Sequence, residues 1–226
     1  MGTRRTERRG PGRPVQSRSR DTRGEILAAS SSLFSASGYV GTSLRHIARE
    51  AGVDLATVKY HFGDKAVLYR EVYTRGHAKF LAELGPPLMR LGTAQTHEEL
   101  RALVRELARG AVAFSVCERD FIRQMHYRTL ELSEDVTNVV ADLQQEALDV
   151  VAQGFAALDA RGLIRPVDVR ALLSFMLLCV PMWVVAAPER PDLVGPPGPD
   201  SGVWTERLES FVSSVFERVL LEDRPG

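Results

Sequence analysis

Cysteine is scarce in this chain. Cys117 and Cys179 are the only two among 226 residues, far apart and without a C-x-x-C pattern. They are too few for a disulfide framework and offer no tight cluster of metal ligands. Equally absent are a phosphate-binding glycine loop, a G-x-S-x-G nucleophile elbow, an H-E-x-x-H pair and a G-x-G-x-x-G fingerprint. The most apolar segment, Ala171 to Ala187, is seventeen residues without a charge, short for a bilayer and interrupted by Pro181. No apolar run follows the positive charges at the start, so a secretory signal is not expected. These gaps point to a cytoplasmic, non-membrane protein with reduced thiols and no catalytic residues, bound metal or cofactor.

The net charge is also zero, but the balance is uneven. Residues 1–65 hold twelve Lys and Arg against six Asp and Glu; the remainder holds seventeen against twenty-three. A basic beginning on an acidic body suits one end to a polyanion and not the other. The first twenty-three residues carry eight Arg and two acids, with only Met1 and Val15 apolar, too little to pack. Residues 1–21 are therefore expected as a disordered basic arm. Its Arg9-Gly10-Pro11-Gly12-Arg13-Pro14 run resembles, imperfectly, the Arg-Gly-Arg-Pro core of AT-hook segments that lie in the minor groove. Such an arm raises DNA affinity and its salt dependence, or serves only as a solubilising tail.

The stretch from Thr42 to Lys65, TSLRHIAREAGVDLATVKYHFGDK, organises the rest. A first helix is expected from about Ser43 to Ala51, capped by Thr42 or Ser43, with Leu44, Ile47, Ala48 and Ala51 on its buried face. Gly52 supplies the left-handed conformation that stops it. Asp54 then caps a second helix that buries Val58, Phe62 and part of Leu55 and leaves Ala56, Thr57, Lys59, Tyr60 and His61 free. That is the layout of a helix-turn-helix. Small residues at the start of the second helix let it approach base edges, and Thr57 can donate, accept or pack on a thymine methyl.

This stretch resembles the DNA-binding domain of the TetR family of bacterial repressors, T-x-x-x-I-A-x-x-A-G-V-S-x-x-T-L-Y-x-H-F-x-x-K-x-x-L. Ile47, Ala48, Ala51, Gly52, Val53, Thr57, His61, Phe62, Lys65 and Leu68 agree in an ungapped run, with Thr42 one position before the pattern's Thr; Asp54, Val58 and Lys59 depart from it. The resemblance implies that Thr42, Tyr60, His61 and Lys65 hold phosphates while Ala56, Thr57 and Lys59 face the major groove. Hydroxyls, cations and helix N-termini suit phosphate, where they set register without reading sequence. The family's first-helix pattern is present as Ile26 to Tyr39, with Gly41-Thr42 after it. That helix is expected to start at Thr22 through a Thr22-Arg23-Gly24-Glu25 capping box, to bury Ile26, Leu27, Leu33 and Phe34, and to end at Gly38. The DNA-binding domain is thus placed at 22–68, and a larger helical ligand-binding and dimerisation domain at 69–226.

No strand pattern follows, so the chain is read as all-α. A fourth helix should open at Asp64, carry Val67, Leu68, Val72, Phe80 and Leu84, and stop at Gly85-Pro86-Pro87. About twenty residues span roughly 30 Å, and the resemblance makes this helix the lever between ligand and DNA. Thr96, with Glu99 in the reciprocal position, starts a helix carrying Leu100, Leu103, Val104, Leu107 and Phe114. Another runs from Arg119 to about Leu132 with Phe121, Ile122 and Met125 inward. A long one is expected from Ser133 through Val136, Val150, Val151, Phe155 and Leu158 to Gly162. After the apolar segment at about 168–187 and a proline-rich loop, a last helix at about 203–221 carries Leu208, Phe211, Val212, Val215, Phe216 and Val219.

The two C-terminal helices suit a homodimer in which each subunit gives a pair to a four-helix bundle, as the resemblance also implies. Two recognition helices then read half-sites of a palindromic double-stranded operator about 34–36 Å apart. The middle helices would enclose a small apolar or amphipathic ligand. Candidate lining residues, by inward face and by the resemblance, are Phe114, Cys117, Phe121, Met125, His126, Phe155, Met176 and Trp183. His126, near Arg128 and Glu131, is the polar candidate, although a histidine satisfied within the core fits the sequence as well. The expected function is a ligand-responsive transcription regulator, most simply a repressor. The alternatives are an architectural DNA-binding protein driven by the arm, and a helical enzyme or carrier with a vestigial helix-turn-helix.

Overall fold

A computed structural model describes residues 21–131, 148–188, 190, 192 and 202–221. Among them every regular element is a helix. These are α1 (Thr22–Ser37), α2 (Leu44–Glu50), α3 (Leu55–Phe62), α4 (Lys65–Leu91), α5 (His97–Cys117), α6 (Arg119–Leu130), α7 over residues 148–160, α8 (Val169–Ala186) and α9 (Gly202–Leu221). The all-α expectation holds. The basic arm, the first part of the helix expected from Ser133 and most of the proline-rich loop lie outside the described residues.

Short polar side chains start these helices by accepting the first-turn amides that have no partner inside the helix. Ser43 Oγ takes His46 N at 3.2 Å, Asp54 Oδ1 takes Thr57 N at 2.6 Å, and Asp64 Oδ1 takes Val67 N at 2.9 Å. Thr96 Oγ1 takes Glu99 N at 3.1 Å, while Glu99 reaches back to Gln95 N at 2.7 Å, one residue before the cap. The cap of α1 is a correction. Asp21, not Thr22, accepts Gly24 N at 2.9 Å, because Thr22 is already the first helical residue.

The fourth helix overruns its expected end. Pro86 and Pro87 lie inside a helix of 27 residues, about 40 Å long. A proline removes one backbone donor and typically costs about 3 kcal/mol in a helix interior. The helix persists because its far end is anchored. Leu91 and Ala94 are 2% exposed in a core with Leu100, Val151, Phe155 and Leu158. Arg161 Nη1 also donates to Gly92 O at 2.6 Å and Ala94 O at 3.1 Å, fixing the turn after the helix. Val67, expected inward, is 47% exposed.

Three apolar cores follow one another along the molecule. The first joins α1, α2 and α3 to the start of α4 through Ile26, Phe34, Ile47, Val58 and Tyr69, and runs on without a break to Phe121, Ile122 and Met125. It therefore crosses the boundary expected at residue 68. The second gathers the end of α4, α5 and α7; the third packs α5 against α8 and α9 through Val112, Val184, Trp204 and Leu208. By length and composition α8 is the one described helix apolar enough to cross a membrane. It packs on α5 and α6, and its outer side leaves Phe175, Leu178 and Met182 exposed.

Candidate nucleic-acid interface and ligand cavity

The helix-turn-helix forms as its spacing demands. Ile47 and Val58 are fully buried between α2 and α3, and Gly52 turns the chain at a φ of 66°. On α3, Ala56, Lys59 and Tyr60 are exposed, Tyr60 to 86%, while Thr57 and His61 are half-buried. The Tyr60 and His61 rings meet edge to face, 5.3 Å apart. Hydrogen bonds from the Thr57 side chain and amide hold the Asp54 carboxyl below the usual carboxylate range, so the cap stays ionised at neutral pH. A short helix is thus fixed at its N-terminus with a small, basic and aromatic outer face. Such a face can enter a major groove and meet the phosphates beside it.

Two of the seven expected contacts are turned inward. Thr42 is 2% exposed, and its Oγ1 donates to Gly38 O at 2.8 Å with Leu33 O at 3.2 Å. Lys65 Nζ donates to Tyr39 O at 2.8 Å and Thr42 O at 3.0 Å, 4.0 Å from the Tyr39 ring centroid. Together they pin the turn between α1 and α2 to the start of α4. On the side where Thr42 was expected to meet DNA, Ser43 and Arg45 are the exposed residues. The period of α2 could have shown this, since it leaves Arg45 opposite Ile47 and Ala48.

Helix α6 touches both halves of the molecule. Asp120, Gln124, Tyr127 and Glu131 recur on one helical face, and all four meet α1 or the turn after it. Ser35 Oγ donates to Asp120 Oδ1 at 2.9 Å, Gln124 Nε2 donates to Ser31 O at 3.0 Å, and Tyr127 Oη donates to Ala36 O at 3.2 Å. The Glu131 carboxylate accepts Tyr39 N at 3.0 Å and Val40 N at 3.2 Å. Gly38 is required beneath it. Its φ is 68°, and a Cβ there would lie 2.1 Å from Glu131 Oε1.

The other side of α6, through Phe121, Ile122, Met125 and Arg128, lines a cavity of about 700 Å³ between α4, α5, α7 and α8. Five aromatic rings close a circuit around one end of it. Tyr73 meets His77 at 6.4 Å, His77 meets Phe80 at 6.2 Å, and Phe80 meets Phe114 at 5.5 Å. Phe114 then meets Phe121 at 6.1 Å, and Phe121 returns to Tyr73 at 5.2 Å. Burial pushes the Tyr73 phenol up, against the pull of the nearby Arg128 guanidinium. Burial, with Arg128 as the lesser cause, pushes the His77 imidazole down.

Of the expected lining residues, Phe114, Phe121, Met125, Phe155 and Met176 stand around this cavity. Three stand elsewhere. Cys117 is the outward-facing last residue of α5, and Cys179 is also exposed, so neither thiol behaves as the small buried hydrophobe that was expected. His126 is buried, with its Nε2 3.0 Å from Leu178 O, a contact that joins α6 to α8, and its Nδ1 2.8 Å from Ile122 O within α6. Trp183 packs edge to face on Phe211, 5.9 Å away. Sequence reasoning missed Tyr73, His77, Ser115 and Arg128 in the cavity wall. The i, i+4 pair Tyr73 and His77 on a helix taken only as a lever was the available signal.

Comparison with known proteins follows this division. Residues 26–72 match the family model described as bacterial regulatory proteins, tetR family. A Bacillus subtilis (strain 168) protein named "Probable HTH-type transcriptional regulator YttP" is 29% identical over 86 residues, 38% of this chain and 42% of that protein. The HTH-type transcriptional regulator AcrR of Shigella flexneri is 38% identical over 61 residues, 27% of this chain and 28% of that one. The matched stretch thus spans less than half of either relative. The fold extends further. The crystal structure of AibR in complex with isovaleryl coenzyme A and operator DNA superposes with a TM-score of 0.63 at 20% identity, over 86% of this chain and 97% of that one. The TetR-family regulator PfmR from Thermus thermophilus gives 0.61 at 19% identity over 90% of this chain and 98% of that one. The helix-turn-helix and its supporting first helix thus match the model of the tetR family of bacterial regulatory proteins, and the all-helical body behind them shares the fold of these solved structures.

Proposed function

We propose that the protein is a cytoplasmic, homodimeric transcription regulator, a repressor released from a palindromic operator by a small apolar or amphipathic ligand. One observation carries this reading: α6 bonds to α1 along one face and lines the cavity with the other. A molecule seated against Phe121 and Met125 cannot shift α6 without shifting α1 and the turn that Thr42 and Lys65 pin. Packed elements have discrete arrangements, so the ligand moves the equilibrium by the difference in its affinity for the two states. On α3, Ala56, Thr57 and Lys59 would face base edges, and Tyr60 and His61 would hold phosphate, joined by Ser43 and Arg45. AibR, of the same fold, is a complex with both an acyl coenzyme A and operator DNA, which supports the pairing of the two functions.

The dimer is supported by exposed apolar side chains on α8 and α9. Phe175, Leu178 and Met182 follow one face of α8 and lie exposed, as do Phe211 and Val219 on α9. Patches of this kind on a soluble chain mark association sites. A second subunit there would carry its own α3, and two half-sites one DNA turn apart would both be read. The test replaces Thr57 and Lys59 together with Ala. Specific DNA binding should fall at least about a hundredfold, while binding to unrelated DNA and the thermal melt change little. Equal loss on specific and unrelated DNA would contradict the placement of α3 in the groove.

A further inference from the structure

The polar groups in the cavity wall differ in what they already hold. Arg128 is hydrogen-bonded to the Tyr73 phenol and lies 5.6 Å from that ring's centroid. Ser115 Oγ donates to Ala111 O at 2.7 Å and Thr129 Oγ1 donates to Met125 O at 3.0 Å, each within its own helix. Ser174 is exposed. His77 is only 7% exposed, yet among the described residues its ring nitrogens have no hydrogen-bond partner. Tyr73 and Phe80 stack on the imidazole at interplanar angles of 19° and 23°. Stacking covers the faces of the ring and leaves the edge, where both nitrogens lie, to another partner. Neither nitrogen is among the buried atoms sealed off without a partner, and the space that this residue lines is the cavity.

We propose that the cavity takes an apolar molecule with a single uncharged hydroxyl, which hydrogen-bonds the His77 imidazole while the tail lies against Phe80, Phe114 and Met125. This names the ligand class of the regulator proposed above and rests on that reading. Burial and the nearby Arg128 keep the imidazole neutral at neutral pH, so it carries one N–H donor and one acceptor nitrogen. A hydroxyl answers either of them, because it both donates and accepts. A wholly apolar guest would shut the imidazole away from water and leave it unpaired, a cost that falls on the bound state alone. An ether could accept from the N–H but could not donate. A charged head would give up more hydration than one bond to a neutral imidazole returns.

The test holds the tail constant and changes the head. Decanol, decyl methyl ether, decanoate and decylamine are titrated by calorimetry into the full chain near neutral pH. The series is repeated with His77→Phe, which keeps a ring in the stack between Tyr73 and Phe80. Decanol should bind the native chain at least about tenfold more tightly than the ether, although the extra methyl would favour the ether in a purely apolar site. Both charged probes should bind more weakly than decanol. In His77→Phe decanol should lose about tenfold while the ether changes by less than about threefold, which also shows that the cavity is still formed. An ether as tight as decanol on the native chain, a charged probe tighter than decanol, or a decanol preference that survives His77→Phe each overturns the proposal and leaves a ligand cavity standing. Failure of every probe to bind the native chain overturns the proposal and the ligand-responsive reading together.

Discussion

The helix-turn-helix and the helical body are held together by different means. In the first, turns are fixed by side chains reaching backbone: Ser43 and Asp54 at helix starts, Thr42 and Lys65 across a turn, Glu131 on the amides of Tyr39 and Val40. In the body such bonds are fewer among the described residues, as at Arg161 after α4 and the Thr96 cap, and position is set mainly by which apolar surfaces meet, with room left over for a cavity of about 700 Å³. The contrast fits their proposed tasks. A recognition helix must be placed to within a hydrogen bond, whereas a ligand-binding body must be able to rearrange.

The largest expected effect tests whether the body finishes its packing in a second subunit. Phe211→Glu with Leu178→Glu puts charges into the exposed apolar surface of α8 and α9. Sedimentation should show a monomer, and operator affinity should fall by more than about a hundredfold, roughly 3 kcal/mol. An unchanged dimer would move the interface elsewhere. Next comes the joint between α4 and α6. A Cβ on Gly76 would lie 2.0 Å from Phe121 Cδ2, and the ring is held by Tyr73 and Phe114. Gly76→Ala should cost about 2–3 kcal/mol in a chemical melt and reduce ligand binding, because the displaced ring is part of the cavity wall.

Thr42→Val sharpens the other side of the comparison. It keeps the shape but leaves buried carbonyls without their hydroxyl, so a loss of about 1–2 kcal/mol is expected, with weaker DNA binding following from a loosened turn. The caps provide a matched pair. Ser43→Ala and Thr96→Ala should each cost about 1 kcal/mol, but only the first should weaken DNA binding. The smallest effect is a pH limb. Burial holds the folded His77 below its ordinary value, so the unfolded chain takes up the proton first. Stability from this group is full above about pH 6.5 and is lost as pH falls from there through the folded value. His77→Phe should keep the ring stack and flatten that limb in melts recorded from neutral to mildly acidic pH.

Legibility followed the same division. The α2 and α3 faces, Gly52 and the Asp54 cap were readable because each rests on neighbours within four residues. Thr42 was not, since its hydroxyl serves Leu33 and Gly38 across a turn rather than an exposed surface. The prolines at 86 and 87 read as a stop because their local cost is plain, while the anchoring of Leu91 by α7 and of Gly92 by Arg161 involves residues some sixty to seventy positions away. Cys117, His126 and Trp183 satisfied the inward period of their helices. Whether an inward residue meets a cavity or a neighbouring helix depends on packing that a single helix does not record.

The central claim is that two copies of α3 read one twofold site. Selection of bound sequences from a random DNA pool with the full chain, at near-physiological salt, tests it most directly. A palindrome with half-sites about one helical turn apart, 34–36 Å centre to centre, is the predicted result. No enrichment, with binding that vanishes as salt rises, would contradict it and leave only the electrostatic attraction of the basic residues 1–65 for DNA.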